Sequence, residues 1–316
     1  MTSSLDNAKL WLSDAYDAET RKAVQDLIDN NPTELDDSFY KNLEFGTGGM
    51  RGIMGVGTNR LNKYTLGAAT QGLANYINQQ FPNKEKKVAI AYDVRHNSDT
   101  FAKMVADVLT ANGINVYLFE SFRPTPELSF TVRHLGCDAG IVLTASHNPP
   151  IYNGYKVYWN DGAQIVPPQD GEIINEVNNV KVEEIKFQGN DTLLTYIGKE
   201  IDEVFIDACV ENGSFTQEGK EDINIVFTSI HGTAVAITPK AFEKAGFTQV
   251  HQVAEQAIPS GDFPTVKSPN PEEPEALSMA IALAEKIGAD MVVGTDPDSD
   301  RLGVAVRNNE GQMTLL

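Results

Sequence analysis

The sequence predicts an α/β fold of two consecutive α/β/α domains, each with a mixed, mainly parallel sheet covered on both faces. Short apolar runs alternate with amphipathic stretches of helical length from about residue 60, and the series restarts near residue 198. Strands that alternate with helices are joined by crossovers, which makes neighbouring strands parallel and buries both faces of the sheet. A chain of 316 residues also exceeds one ordinary core, so two domains are expected, 1–198 and 199–316.

Residues 5–44 are polar, rich in Asp, Glu and Ala, and patterned as a helical lead-in. Asn62 suits the cap of a helix presenting Leu66, Leu73, Tyr76 and Ile77, and 88–92 is a short buried strand. Ser98 is expected to cap a helix whose Phe101, Met104, Val105, Val108 and Leu109 share one face and which Gly113 ends. Strand 116–119, helix 126–134 and strand 140–145 follow, the last delivering Ser146. Residues 179–198 are polar and irregular and suggest a linker. The second series reads helix 198–210, strand 223–230, helix 238–246, strand 250–254, a Pro- and Gly-rich loop 258–274, helix 275–287, strand 291–294, an acidic loop and strand 303–306. The end, Gln312 to Leu316, is apolar and strand-like without a cap or polar tail, which suggests truncation.

Hydrophobic residues make up 41% and charged residues 22%, an ordinary globular balance. The formal charge of −19 argues against nucleic acid or an anionic membrane as partner, since both select basic surface. A phosphate substrate stays open, because a few arginines in a cleft override the global sign. Cys137 and Cys209 are far apart and form no CxxC, so neither a disulfide framework nor a zinc site is implied. The start lacks a basic and apolar leader, and no apolar run nears the ~18 residues of a membrane span; a cytoplasmic location is expected.

The segment 140–156 carries the first chemical signal. An apolar strand stops at Ser146-His147-Asn148, and Pro149 and Pro150 forbid a continuing ladder or helix. Ser146 is thereby presented just past a strand's carboxyl end, where open α/β sheets place ligands, as a nucleophile or a phosphate ligand. His147 invites a Ser-His hydrolase reading, but no GxSxG elbow surrounds the serine and adjacent side chains are expected to point apart. Lys156 follows Asn153-Gly154, read as a turn, on the strand leaving this loop. It can fold back over the cleft as a general acid/base, or stand as a solvated surface charge.

Thr295-Asp-Pro-Asp-Ser-Asp-Arg301 is the second signal. Asp296, Asp298 and Asp300 alternate after an apolar strand, and Pro297 excludes a helix, so the three carboxylates face one side. Their repulsion calls for a cation, and oxygen-only ligands select a hard ion, Mg²⁺ before Ca²⁺. The Gly and Glu of an EF-hand are missing; the alternative is a solvated acidic loop. Phe45 to Gly52 is Gly-rich and ends beside Arg51, so its amides could approach an anion, or form only a turn. Asp93 and Arg95 read equally as a buried ion pair or as substrate contacts, whereas His231-Gly232 and 268–272 read as structural loops.

Together FGTGGMRG, TASHNP, NGYK and DPDSDR resemble the motifs of the α-D-phosphohexomutase superfamily, from about residue 40 onward. The spellings ASHNPPIYNGYKVYW and SPNPEEPE look most like its bacterial phosphoglucomutase and phosphopentomutase branch. The resemblance implies that Ser146 is a phosphoserine and that Mg²⁺ bridges its phosphate to Asp296, Asp298 and Asp300. It implies that Arg51, His147, Lys156 and Arg301 surround the transferring group, with Thr47 and Asn148 as further substrate contacts. The implied reaction moves phosphate between C1 and C6 of a sugar (C1 and C5 of a pentose) through a sugar 1,6-bisphosphate. Phosphoryl transfer asks mainly for positioning and charge neutralisation, which a divalent ion and a ring of cations supply.

The family has four domains, with a GEES-type sugar loop in the third and an RxSGT-type phosphate loop in the fourth. Neither stands here; Gly171-Glu172 and Arg123-Pro-Thr125 only echo them. The chain therefore resembles the first half of that architecture, with domains III and IV expected in the same polypeptide. A half of this kind is expected to turn over poorly. Two readings compete with it: a two-domain protein that binds metal or phosphate without turnover, and a phosphotransferase with an aspartyl nucleophile. The latter usually carries its acidic motif after the first strand, whereas DPDSDR comes late.

Overall fold

A computed structural model describes residues 3–46, 48–213 and 219–316. The lead-in forms α1 (Ser4–Leu10), α2 (Ala18–Asn30) and α3 (Pro32–Phe39), which close over Trp11, Val24, Phe39 and Tyr64. The first sheet contains β1 (Gly49–Ile53), β2 (Lys87–Tyr92), β3 (Asn115–Phe119), β4 (Ala139–Leu143), β5 (Tyr152–Trp159) and β6 (Leu194–Ile197). Its helices are α4 (Lys63–Gln80), α5 (Ser98–Ala111), α6 (Thr125–His134) and α7 (Gln169–Asn179). The second unit carries α8 (Lys199–Asn212), β7 (Asn224–Thr228), α9 (Thr238–Lys244), β8 (Gln249–Gln252), α10 (Ser278–Ile287), β9 (Met291–Thr295), β10 (Leu302–Arg307) and β11 (Met313–Leu315).

The strand orders are β1-β5-β4-β2-β3-β6 and β11-β10-β9-β7-β8. In both sheets the inner strands are parallel, and an antiparallel ribbon is added at one edge. The run β5-β4-β2-β3 matches β10-β9-β7-β8 strand for strand, so the second unit repeats the topology of the first. The connections β4–β5 and β9–β10 occupy the same place in the two sheets. One carries Ser146 and the other Asp296, Asp298 and Asp300.

Asn62 caps α4 as expected, its Oδ1 accepting from the amides of Tyr64 and Thr65. Leu66, Leu73 and Ile77 of that helix pack with Val88, Ile90 and Ile141 in the first core. Ser98 is not a cap: α5 begins at Ser98 after Asn97 at φ +63°, and the Ser98 hydroxyl donates to Asp93 instead. The stretch 179–198 is not a linker throughout, because β6 pairs in parallel with β3 at the sheet edge. Asn153-Gly154 is no turn; both residues lie inside β5. A Cβ on Gly154 would stand 2.4 Å from the Thr144 carbonyl and 2.9 Å from that of Met50, so glycine permits this close approach. Half of the Gly-rich segment is itself a strand, β1, with Arg51 opposite Gly154. No helix among the described residues is long and apolar enough to cross a membrane.

Candidate functional site

The two edge connections meet. Ser146, 2% exposed, donates from Oγ to Asp296 Oδ2 at 2.6 Å, 150 residues away in sequence. Its backbone is left-handed, φ +51°, a conformation that costs a non-glycine residue roughly 1–3 kcal/mol and persists where surroundings impose it. That turn also corrects the expectation that Ser146 and His147 diverge. Alternation holds for an extended chain; with Ser146 left-handed, its Oγ lies 3.2 Å from His147 Nδ1.

The acidic loop presents its carboxylates on one side as expected, with ligand oxygens within 4.8 Å of one another. Asp296 Oδ1 accepts from the Arg301 amide, while Asp298 Oδ2 accepts from the Thr125 hydroxyl at 2.9 Å. Lys156 Nζ donates to Asp298 and to Asp300, each at 2.6 Å. Asp298 Oδ1 is buried without a hydrogen-bond partner. Three carboxylates, one with an unpaired buried oxygen, fit a hard divalent cation.

Burial, then the charges of Asp298 and Asp300, push the Asp296 carboxyl up to about 8. Burial would raise Asp298 too, but the Lys156 ammonium outweighs it and leaves Asp298 below the usual carboxylate range. Burial would lower Lys156; the two carboxylates override it and hold the proton firmly. His147 is lowered by burial and by the charges of Arg301 and Arg51, so its ring is neutral near pH 7.

Arg51 reaches this site from β1 and donates to Asn148 Oδ1 at 2.9 Å. Arg301 lies 3.6 Å from Glu272. Thr47 lies outside the described residues. Asp93 and Arg95 form a buried ion pair, 3.1 Å apart, and Arg95 also grips the serine loop. Thr125 was not singled out by sequence, since only folding brings the start of α6 to Asp298, and its amide also donates to the Asp298 carbonyl. The loop at His231 is structural as expected: Thr233 donates to the Pro297 carbonyl, and Gly232 leaves room for Pro297.

Two family models, phosphoglucomutase/phosphomannomutase α/β/α domain I and domain II, match residues 42–184 and 203–311. The chain belongs to the α-D-phosphohexomutase superfamily. Within this superfamily, a phosphoglucomutase of Staphylococcus aureus (strain USA300) is 38% identical over 312 residues, 98% of this chain and 55% of that protein. The chain thus spans about half the length of the curated relatives it matches. Among solved structures, a provisionally named phosphomannomutase from Thermus thermophilus superposes with a TM-score of 0.71 at 24% identity, covering 86% of this chain and 58% of that one. A phosphoglucomutase/phosphomannomutase family protein from Burkholderia thailandensis gives 0.67 at 24%, covering 85% and 55%. At these identities the structures speak for the fold, and the superfamily's first two α/β/α domains are the fold seen here.

Proposed function

We propose that this chain supplies the phosphoryl-transfer half of a phosphosugar mutase, with Ser146 as the group that carries phosphate. The contact between Ser146 Oγ and Asp296, which joins the two edge loops, carries this reading. Asp296, Asp298, Asp300 and Ser146 Oγ would hold the Mg²⁺, which supplies charge neutralisation to the transferring phosphate. Arg51, His147, Asn148 and Arg301 line the same cleft, Thr47 being assigned to it from sequence alone. The reading includes a cytoplasmic location and a domain boundary at 198/199, the boundary being supported by β6 closing the first sheet just before α8.

When a sugar 1,6-bisphosphate donates, a bond forms from Ser146 Oγ to phosphorus and the bond from phosphorus to the sugar oxygen breaks. Rotation of the Ser146 hydroxyl away from Asp296 Oδ2 would hand its proton to His147 Nδ1, which is neutral and 3.2 Å away. Lys156, held protonated, is placed to give the departing sugar oxygen its proton. The return step reverses these transfers to the other hydroxyl. Ser146 is almost wholly buried, so bulk water has little access to its hydroxyl.

The sugar-reading and distal phosphate groups expected of domains III and IV do not stand in this sequence, so we propose that the chain alone interconverts sugar phosphates slowly. Incubation with glucose 1,6-bisphosphate and labelled glucose 6-phosphate tests the reading. Label should pass slowly into the bisphosphate pool and depend on Ser146. Mg²⁺ binding with no label transfer would favour the alternative, a two-domain protein that binds metal or phosphate without turnover.

A further inference from the structure

Arg95, between β2 and α5, is 3% exposed, and the serine loop folds around its guanidinium. Nη2 donates to the carbonyls of Ser146 and Asn148, each at 2.5 Å. Nη1 donates to those of Pro149 at 2.9 Å and Tyr152 at 3.1 Å. Four carbonyl dipoles aimed at one point repel each other unless a cation with several fixed donors occupies it. A guanidinium has that fork; a lysine ammonium, with its donors on one nitrogen, does not.

The same residue pair also holds the other side of the serine. The Ser146 amide donates to Thr144 Oγ1 at 2.8 Å, and the Thr144 hydroxyl donates to Asp93 Oδ2 at 2.7 Å. Asp93 Oδ1 accepts from the Arg95 amide and the Ser98 hydroxyl. Asp93 therefore anchors the amide side of Ser146 through Thr144, while Arg95 holds its carbonyl. A left-handed serine fixed at both its amide and its carbonyl has the direction of its Cα–Cβ bond set, from which Oγ reaches Asp296.

The second unit seals this arrangement. Phe263, 1% exposed and itself at φ +46°, lies with its ring centroid 5.0 Å from the guanidinium carbon. Beside it, Asp262 Oδ1 lies 2.7 Å from His96 Nε2, and a Cβ on Gly261 would come within 2.8 Å of the His96 amide. The loop from the second unit is thus seated directly against 94–96.

We propose that Arg95 is a positioning residue for Ser146 and that Phe263 fixes Arg95, so that the serine acquires its reactive geometry only with the second unit docked. This rests on Ser146 being the phosphate carrier. Neither residue touches the reacting atoms; both act through the loop backbone.

The test uses the whole chain with Arg95→Ala, Arg95→Lys and Phe263→Leu, and glucose 1,6-bisphosphate as donor. Arg95→Ala should lower the saturating rate of phosphate uptake on Ser146 about 100-fold, the penalty of an ångström-scale misplacement, with little change in half-saturation. Arg95→Lys should not restore it, whereas added guanidinium ion should restore part of the Arg95→Ala rate. Phe263→Leu should lower the rate about tenfold through loss of the aromatic face. If Arg95→Ala does not fold, Phe263→Leu carries the test. Hydrogen exchange of the amides in 146–154 supplies a readout independent of chemistry: they should exchange faster in the variants while β2 and β4 keep their protection. Unchanged uptake by the unphosphorylated variants, or unchanged exchange, overturns the proposal. No uptake by the unmodified chain would instead overturn the functional reading, and the exchange data would still decide on Arg95.

Discussion

Lowering the pH should weaken Mg²⁺ binding to the acidic loop, by an amount the site itself sets. Burial and the charges of Asp298 and Asp300 keep a proton on Asp296 up to about pH 8. A cation must displace that proton before Asp296 can ligate it. While Asp296 holds that proton, each further unit of acidification therefore costs up to about tenfold in affinity, so a fall of two units should cost up to about 100-fold. Once the proton is lost the affinity should level off. Lys156 must also yield its contacts with Asp298 and Asp300, but it stays protonated throughout and adds no slope. Calorimetry across this range, in two buffers of different ionisation enthalpy, reads both affinity and protons released. Asp296→Asn should lose affinity and lose the pH dependence with it. A constant affinity, or identical heats in the two buffers, refutes the reasoning.

Two further outcomes follow from groups away from the cation site. Glu127 on α6 is wholly buried, and burial, then a hydrogen bond with Asp202 and its charge, push it up to about 9 from 4.5 against the Arg123 guanidinium 4.0 Å away. The folded state keeps a proton that the unfolded state releases, so this contribution is complete below about pH 4.5 and is lost as pH rises towards 9, on the order of several kcal/mol. Thermal unfolding should show that decline, and Glu127→Gln should flatten it; parallel curves for the two proteins contradict the assignment. Gly154→Ala places a methyl against two backbone carbonyls and should cost about 1–3 kcal/mol, lowering Tm by roughly 5 °C in calorimetry. An unchanged Tm would show that β1, β4 and β5 can separate freely.

The elements legible in the sequence were those whose apolar runs are bounded by Pro or Gly, such as β4, β9 and their loops. β1 was hidden because its glycines read as a loop: a Cβ on Gly49 would come within 1.9 Å of the Tyr155 carbonyl, so the strand pair itself demands them. β6 looked like a linker because it is an edge strand with Thr195 and Tyr196 turned to solvent. In the site, residue type and spacing were enough to single out Ser146 and the three aspartates. The Ser146–His147 contact depends on a left-handed backbone that local pattern does not signal. Thr125 and the carbonyl grip of Arg95 depend on contacts across the fold, which one sequence leaves invisible.

The central claim, that Ser146 carries the phosphate, is tested most directly by mapping phosphate on the chain after exposure to glucose 1,6-bisphosphate and Mg²⁺. The account predicts one phosphate on the peptide containing Ser146 and none on the Ser146→Ala chain. Phosphate recovered on another residue, with Ser146→Ala labelled as readily as the unmodified chain, would contradict it.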